Sequence, residues 1–263
     1  MTPSEVSVLL VQFPVSLSIP DNLKAIELAL AHAHPGELVL CPEGFVSGYS
    51  VDLSFLHKID RKAVEDSLSE LELQACRRGI HLWVGAVVNE DGAWRNAAFG
   101  FTPQGEVHTY YKVNLASHER GTFLAGCGLP LFKLDFDGQP VMAGIQICRE
   151  LRFPEQWGWL ARQGAQVILH LNNAIGNARD RTIWRSMLVS RAAETGRFVL
   201  SANNGTEGRQ GPTTAIAPDG HLLGEIAHRG TGTLRVSLNL SQVSNWYLDQ
   251  CRNDVVAIQG TGN

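Results

Sequence analysis

The chain repeats one order of strands and helices, and this repeat limits the possible folds more than any other feature. In each half an apolar strand follows the glycine that ends a helix, and a hairpin with a proline-containing turn comes later. The two glycines, Gly79 and Gly196, lie 117 residues apart, and the two turn prolines, Pro103 and Pro218, lie 115 residues apart. Near-constant offsets predict two similar α/β halves with largely parallel strands and right-handed crossovers.

Hydrophobic periodicity and turn residues place the elements of both halves. The first half is predicted to hold strands at 6–12, 37–41, 80–88, 94–101 and 106–111, and helices at 20–33 and 61–78. The second half is predicted to hold strands at 141–147, 166–171 and 197–202, helices at 154–163 and 179–195, and a hairpin around 217–220. The two sheets could pack face to face with helices outside, as a four-layer αββα sandwich.

Composition excludes several classes of protein. A chain of 263 residues with 44% hydrophobic content can bury one large core, so residues 1–263 are expected to form a single domain. The formal charge of −4 leaves no basic excess for binding nucleic acid or a membrane surface. The five cysteines are scattered, odd in number and without a CxxC pair, which argues against disulfides and a zinc site. We expect a reduced, cytoplasmic protein without a metal.

One cysteine lies where open α/β folds place reactive groups. The segment VMAGIQICRELRFPE begins as a short, uncharged strand, and Cys148 follows that strand directly. Pro154 is well placed to begin the next helix. Cys148 is therefore a candidate nucleophile at a strand end. A buried structural cysteine is the commoner role of a lone cysteine, and further partners are needed to favour catalysis.

Two more strand-end residues supply those partners, since Glu43 follows the second strand and Lys112 follows the first hairpin. The segments that hold the three residues, CPEGFVSGY, YYKVNL and ICRELRFPE, resemble the three signature blocks of the nitrilase superfamily of carbon–nitrogen hydrolases. The resemblance implies an αββα sandwich, often dimeric. It further implies that Glu43 is the general base, Lys112 stabilises the oxyanion and Cys148 is the nucleophile. Glu119 matches a second glutamate, which helps to position the substrate and the attacking water.

The sequence departs from the family pattern beside the nucleophile. Arg149 and Glu150 stand where an aromatic residue and an aspartate are common, Asn114 stands where many members have histidine, and Asn172-Asn173 replaces a proline-containing segment. We expect Arg149, Asn172 and Asn173 to contact the substrate. Their polarity, together with the positive charge of Arg149, would suit a substrate that carries a carboxylate.

The residue types fit thioester chemistry, but their acidities are mismatched. An ordinary thiol has a pKa of about 8.5 and an ordinary glutamate about 4.3, so proton transfer between them is unfavourable by roughly 6 kcal/mol. The Lys112 ammonium is expected to favour the thiolate and so to narrow this gap. With the backbone N–H of Arg149 it would face the developing oxyanion. Glutamate can serve as the base only if the three groups share a dry pocket.

The sequence therefore predicts a cysteine-dependent amidase that needs no cofactor and acts on a small linear amide or carbamoyl compound. A nitrilase and a catalytically silent binding protein on the same fold stay open as alternatives. The tail at 239–263 is expected to pack on a partner subunit, because Trp246, Tyr247 and the apolar run 255–258 need a surface to cover them. A homodimer or a higher homo-oligomer is the predicted assembly.

Overall fold

A computed structural model describes residues 5–252, 254 and 255 of the chain. The strands are β1 Glu5–Gln12, β2 Leu38–Leu40, β3 His81–Glu90, β4 Ala93–Phe101, β5 Val107–Tyr111, β6 Leu131–Phe136, β7 Gln139–Ile147, β8 Val167–Asn172, β9 Phe198–Asn203, β10 Thr213–Ile216, β11 Leu222–Ile226 and β12 Gly232–Asn239. The α-helices are α1 Ile19–Leu30, α2 Arg61–Arg78, α3 Pro154–Arg162, α4 Ala178–Thr195 and α5 Trp246–Asp249. Short 3-10 helices span Leu53–His57, Cys148–Arg152 and Leu240–Gln242.

The two long helices end in the same way, as the repeat predicted. Helix α2 ends at Gly79 and helix α4 at Gly196, and both glycines adopt the left-handed conformation with φ near 65°. Glycine enters this region without the steric penalty that other residues meet. At Gly196 a Cβ atom would also lie 2.2 Å from the carbonyl oxygen of Ser244. The second cap therefore needs glycine both for its backbone angle and for its contact with the C-terminal tail.

Helix α1 is shorter than predicted. It begins at Ile19 after Ser18, whose hydroxyl caps the first turn, and it ends at Leu30 rather than near Ala33. The N–H of Ala33 bonds to the carbonyl of Leu30, which is the tighter spacing of a 3-10 turn. The apolar spacing continues past the helix because Ala33 still packs against the core.

The strands form two mixed six-stranded sheets, with the orders β12-β1-β2-β3-β4-β5 and β11-β10-β9-β8-β7-β6. Strands β1, β2 and β3 pair in parallel, and so do β7, β8 and β9. The other pairs in both sheets are antiparallel. The expectation of largely parallel pairing is correct for the centre of each sheet and wrong for its flanks. Hairpins reverse the chain at β4, β5, β6 and β11, and the distant strand β12 runs antiparallel to β1.

Two strands escaped the sequence analysis. Strand β6 pairs with β7 across the turn at Asp137-Gly138, and β12 pairs with β1 in the other sheet. Strand β12 is built from the second half of the chain but completes the sheet of the first half. The two halves are thereby joined by backbone hydrogen bonds as well as by packing.

The core consists of apolar layers on both faces of each sheet. One cluster lies between the sheets and takes residues from both, among them Val8, Leu10, Ile145 and Leu169. A second cluster packs α1 and α2 on the first sheet, and a third packs α3 and α4 on the second sheet. Both faces of each central strand are buried, which explains their nearly continuous apolar sequences. The predicted αββα sandwich is confirmed.

The tail after β12 runs across the second half and leaves aromatic side chains exposed. Trp246 and Tyr247 are each 62% exposed, with ring centroids 4.6 Å apart. Val255 is also exposed, and residues 256–258 of the predicted apolar run lie outside the described residues. Packing of the tail on a partner subunit stays a prediction. No helix among the described residues has the length and apolarity needed to span a membrane.

Candidate active site

The loop after β2 places Glu43 against the neighbouring strand β3. Pro42 lies two residues after the end of β2, and its carbonyl accepts a hydrogen bond from the N–H of Gly85 in β3 at 3.2 Å. A Cβ atom on Gly85 would lie 2.6 Å from the Pro42 carbonyl oxygen and 2.7 Å from the Cα of Glu43. Glycine on β3 thus allows the loop to lie directly on the sheet, and the Glu43 side chain is 1% exposed.

Lys112 follows β5 and joins two carboxylates. Its side chain is 1% exposed, and its Nζ lies 2.9 Å from Oε1 of Glu43 and 3.1 Å from Oε2 of Glu119. The ammonium therefore bridges the two glutamates. Three of the four residues that the sequence proposed for catalysis meet in one buried cluster.

Glu119 is held by neutral donors in addition to the lysine. Its Oε2 accepts a hydrogen bond from the N–H of Ala116 at 2.6 Å, and its Oε1 accepts one from the Tyr49 hydroxyl at 2.7 Å. The Asn96 amide donates at 2.8 Å to Oε1 of Glu119 and at 2.8 Å to Oε1 of Glu43. Asn96 is thus a second bridge between the carboxylates.

The charged groups in this cluster shift one another's pKa values. Burial alone would lower the pKa of Lys112, but Glu43, the ionised form of Cys148 and Glu119 outweigh burial and raise it. Burial alone would raise the pKa of Glu119, but Lys112 and the hydrogen bonds to its carboxylate outweigh burial and lower it. Lys112 is therefore an ammonium and Glu119 a carboxylate at neutral pH.

Cys148 lies at the end of β7 in a strained backbone conformation. Its φ is 47°, in the left-handed region that non-glycine residues seldom adopt, and it begins the 3-10 helix that ends at Arg152. The conformation turns the chain sharply between strand and helix. Strain of this kind is found at functional sites, where the surrounding structure holds it in place.

A buried histidine on the neighbouring strand β8 holds this turn. His170 Nε2 lies 3.0 Å from the carbonyl oxygen of Cys148, and Nδ1 lies 2.9 Å from the hydroxyl of Ser201. Burial lowers the pKa of His170 to about 4, so the ring is neutral. A carbonyl only accepts hydrogen bonds, which places the ring proton on Nε2 and makes the Ser201 hydroxyl the donor to Nδ1.

The Cys148 thiol is more weakly acidic than the sequence suggested. Burial and the charge of Glu43 raise its pKa, while Lys112 and the backbone N–H of Asn173 oppose them without balancing them. The expectation that Lys112 favours the thiolate is right in direction, but burial outweighs it. The sulfur is therefore protonated at rest. Oε2 of Glu43 is buried and has no hydrogen-bond partner among the described residues, so it is free to take a proton.

Glu150, two residues after the cysteine, ties the lysine loop to the cysteine turn. Its Oε1 accepts hydrogen bonds from the N–H groups of Val113 at 2.8 Å and Asn114 at 3.0 Å. Its Oε2 accepts one from the N–H of Ile147 at 2.7 Å, and the Tyr110 hydroxyl lies within 2.9 Å of both oxygens. One side chain thus links the residues just after Lys112 with the residue just before Cys148.

The substrate residues proposed from the sequence fall in different places. A cavity of about 310 Å³ opens onto Cys148, Lys112 and Tyr49, and Arg149 and Asn173 also line it. Asn172 is fully buried next to the loop at Gly211 and is not among the residues that line the cavity. The cavity therefore receives two of the three proposed side chains.

One known protein family matches this chain over most of its length. The sequence profile of the carbon–nitrogen hydrolase family matches residues 8–247. This chain belongs to the carbon–nitrogen hydrolase family.

Relatives of this hydrolase include enzymes that act on amides. It is 27% identical to the 2-oxoglutaramate amidase of Bacillus subtilis, over 88% of this chain and 90% of that protein. It is 30% identical to a hydrolase in the agr operon of Staphylococcus aureus, over 79% of this chain and 80% of that protein.

Solved structures of an amidase from Nesterenkonia sp. AN1 share the fold. One is a mutant with the acetamide moiety of fluoroacetamide added covalently at the active-site cysteine. It superposes with a TM-score of 0.81 and 26% identity, covering 97% of each chain. Another mutant, in complex with butyramide, has a TM-score of 0.79, 26% identity and the same coverage.

Sequence reasoning missed several residues of this carbon–nitrogen hydrolase site, although some left a signal. Asn96 and His170 are polar residues inside largely apolar strands, and buried polar residues need partners. Tyr49 belongs to the quoted glutamate block, but nothing in the sequence shows that it reaches Glu119. Arg209 lies in a loop without a recognisable motif, and only the tertiary structure brings it within electrostatic reach of Glu43 and Cys148.

Proposed function

We propose that this carbon–nitrogen hydrolase is a cysteine-dependent amidase that cleaves a small linear amide through a thioester. The observation that carries the proposal is the meeting of Cys148 and Lys112 in one cavity, with Glu43 paired to Lys112 and its charge acting on the Cys148 thiol. The covalent adduct at the active-site cysteine of the Nesterenkonia amidase supports the role of the cysteine.

Acylation begins with transfer of the thiol proton from Cys148 to Glu43 as the sulfur attacks the amide carbon. The carbonyl oxygen becomes an oxyanion, and the Lys112 ammonium stabilises it. The backbone N–H of Arg149 also faces this charge, because the first N–H groups of a helix have no partner within the helix. Glu43 then returns the proton to the leaving nitrogen, ammonia departs, and a thioester remains.

Deacylation uses the same residues in reverse roles. Glu43 takes a proton from a water molecule while the water oxygen attacks the thioester carbon. Glu119, fixed by Lys112, Asn96 and Tyr49, holds the cluster in place and orients the substrate and the water. When the tetrahedral intermediate collapses, the sulfur leaves and regains its proton, and a carboxylic acid is released. The sum is an amide and water giving a carboxylic acid and ammonia.

The raised pKa of the Cys148 thiol is consistent with a base, Glu43, that removes the proton while the sulfur attacks the amide carbon. A preformed thiolate would need a low pKa, whereas burial and Glu43 raise that of Cys148. Proton transfer and bond formation must therefore be coupled, and the nearby ammonium lowers the barrier by stabilising the charge as it forms.

The direct test is ammonia release from a panel of small amides, carbamoyl compounds and nitriles, with intact-mass detection of an adduct. We expect an acyl adduct in the wild type that is absent in Cys148→Ala. Cys127→Ala serves as the matched control, because Cys127 is exposed. Turnover of nitriles alone would indicate a nitrilase. Absence of both turnover and adduct across the panel would indicate a binding protein.

We further propose that the chain acts in the cytoplasm as one domain and forms a homodimer. The exposed pair Trp246 and Tyr247 supports the assembly, since exposed neighbouring aromatic residues commonly mark an interface. Light scattering should give twice the mass of the chain, and Trp246→Ser with Tyr247→Ser should weaken the dimer. A monomer at all concentrations would contradict this assembly without affecting the proposed reaction.

A further inference from the structure

His170 and Ser201 form a buried polar pair behind the cysteine turn. The two residues lie opposite each other on the parallel strands β8 and β9, and both are fully buried. His170 Nδ1 lies 2.9 Å from the Ser201 hydroxyl, and Nε2 lies 3.0 Å from the carbonyl oxygen of Cys148. The pair therefore connects β9 with the peptide group that joins Cys148 to Arg149.

Two tryptophans pack near the His170 ring. The ring centroid of Trp157 lies 5.9 Å from that of His170, and the ring of Trp184 lies 6.4 Å away at an angle of 26°. Both tryptophans belong to the apolar cluster that packs α3 and α4 on the second sheet. Apolar neighbours disfavour an imidazolium, so the neutral ring carries one N–H and is held in place by packing.

The hydrogen bonds of this pair run in one direction. A carbonyl oxygen only accepts, so Nε2 of His170 donates to Cys148, and Nδ1 accepts from the Ser201 hydroxyl. Bonds in such a chain polarise one another, and each strengthens the next by about 10–30%. The polarisation therefore accumulates at the carbonyl oxygen of Cys148.

That carbonyl shares its peptide group with the N–H of Arg149. The peptide is planar and its electrons are delocalised, so a donor at the oxygen withdraws charge from the nitrogen and strengthens the N–H as a donor. Arg149 is the second residue of the 3-10 helix, too early for its N–H to have an acceptor within that helix, and it lines the cavity. The strained φ of 47° at Cys148 also requires contacts that hold this peptide in one orientation.

We propose that His170, supported by Ser201, is a positioning residue that orients and polarises the Cys148–Arg149 peptide so that its N–H binds the oxyanion. This inference rests on the proposed amidase function and adds residues that stabilise the same developing charge. Lys112 acts on the oxyanion directly, whereas His170 acts through the backbone.

The other sheet offers a matched control. His81 is 1% exposed, and its Nε2 lies 2.8 Å from the carbonyl oxygen of Asp135. His170→Phe and His81→Phe each remove a buried hydrogen bond from an imidazole to a carbonyl, so both should reduce stability. Only the first of these carbonyls belongs to the peptide beside the nucleophile.

The kinetic test uses an amide of the panel that the wild type hydrolyses. We expect His170→Phe to lower kcat by about 10- to 100-fold with KM little changed, because an oxyanion donor acts on charge that develops in the transition state. His170→Gln should recover part of the loss, since its amide can donate to the same carbonyl. Ser201→Ala should lose less than His170→Phe, and His81→Phe should keep the wild-type kcat. Wild-type kcat in His170→Phe would overturn the inference.

Alkylation by iodoacetamide separates polarisation of the peptide from placement of the thiol. In this reaction the thiol of Cys148 loses its proton, a carbon–sulfur bond forms and iodide leaves, so no oxyanion develops. The rate at Cys148, followed by peptide mass, should be the same in the wild type and His170→Phe. Equal losses of alkylation and of amide hydrolysis would show that His170 only holds the sulfur in place, and would overturn the inference.

A nuclear magnetic resonance measurement tests the inference without hydrolysis. Isotope-labelled histidine should show His170 as the neutral tautomer with its proton on Nε2. Isotope-labelled arginine should show the Arg149 amide proton at lower field in the wild type than in His170→Phe, because a polarised N–H is deshielded. These results would support the inference even if no amide on the panel were hydrolysed. A proton on Nδ1, or an unchanged Arg149 amide shift, would overturn it while leaving the proposed amidase function intact.

Discussion

Glu119 and Glu150 are both fully buried, yet their surroundings drive their acidities in opposite directions. Glu119 lies against the Lys112 ammonium, and its pKa is lowered. Glu150 accepts hydrogen bonds from three backbone N–H groups and the Tyr110 hydroxyl. Burial nevertheless raises its pKa to about 7. Hydrogen bonds from neutral donors do not offset the cost of burying the Glu150 carboxylate, whereas such bonds together with a directly paired ammonium do so for Glu119.

The opposite pKa shifts of Glu119 and Glu150 match the different roles that we assign to the two carboxyl groups. In the proposed mechanism Glu119 holds a fixed charge beside the reacting atoms, whereas Glu150 holds the loop after Lys112 at a fixed distance from the turn at Cys148. A carboxyl group that is neutral for part of the time can still tie the loops, because most of its hydrogen bonds are accepted by oxygen atoms in either state. The opposite pKa shifts can be tested by substituting, one at a time, the two carboxyl groups and the residues that contact them.

Removing the cation should have the largest effect. Lys112→Met leaves Glu43 and Glu119 buried without their ammonium, and breaking a buried ion pair from one side costs about 3–5 kcal/mol of unfolding free energy. The oxyanion also loses its stabilising charge, so kcat should fall by at least about 10³-fold. Urea unfolding and steady-state kinetics measure both effects. Lys133→Met, on the exposed side of β6, is the control. If Lys112→Met were as stable as the wild type, the Lys112 ammonium would not be what stabilises the buried charges of Glu43 and Glu119.

Neutralising the carboxylate beside that cation should be the next largest change. In Glu119→Gln the amide keeps the shape but removes the charge that Lys112 faces, so we expect kcat to fall by about 10²- to 10³-fold. The loss in stability should be smaller than for Lys112→Met, because Glu43 still pairs with the ammonium. Glu155→Gln, an exposed residue of α3, is the control. A Glu119→Gln enzyme with full kcat would remove this residue from the proposed mechanism.

Glu150→Gln should change the pH dependence of stability. The pKa of Glu150 rises from its ordinary value of 4.5 to about 7 on folding, so the folded protein binds more protons than the unfolded chain between these values. Glu150 therefore makes the unfolding free energy fall as pH rises through this window, by about 3 kcal/mol in total. Below pH 4.5 this loss is absent, and above pH 7 it is complete.

The measurement is urea unfolding of the wild type and Glu150→Gln from pH 4 to pH 8.5. The variant cannot ionise at this position, so its stability relative to the wild type should improve by about 3 kcal/mol across the window. A difference that stays constant with pH would show that Glu150 does not titrate there. The variant is then expected to be uniformly less stable, because its amide N–H₂ meets backbone donors.

The smallest effect is expected at Tyr110, which donates to Glu150 and is 2% exposed. Tyr110→Phe removes a donor that lowers the pKa of Glu150, so the pH window of the previous experiment should move upward, with a stability loss of about 1 kcal/mol. Tyr111→Phe is a close control, since the neighbouring hydroxyl bonds to the half-exposed Glu90 instead. Equal behaviour of the two variants would show that the Tyr110 contact contributes nothing specific.

Local sequence signals were sufficient for most of the fold. Glycine caps, apolar runs and proline turns depend on the few residues around them, so they placed α2, α4 and the central strands of both sheets. Strand β12 escaped because its partner β1 lies more than 200 residues away and belongs to the other half. Its assignment depends on a pairing that no local window contains.

Some features of the candidate site likewise follow from the sequence, and others depend on the tertiary structure. The sequence by itself determined which groups stand at the strand ends, because Glu43, Lys112 and Cys148 follow strands in recognisable blocks. Only the tertiary structure decided how those groups are charged. Burial, the position of Asn96 between two carboxylates and the approach of Arg209 all arise from contacts between distant segments. Acidity and substrate contacts depend on distance and solvent access in space, which the order of residues does not specify.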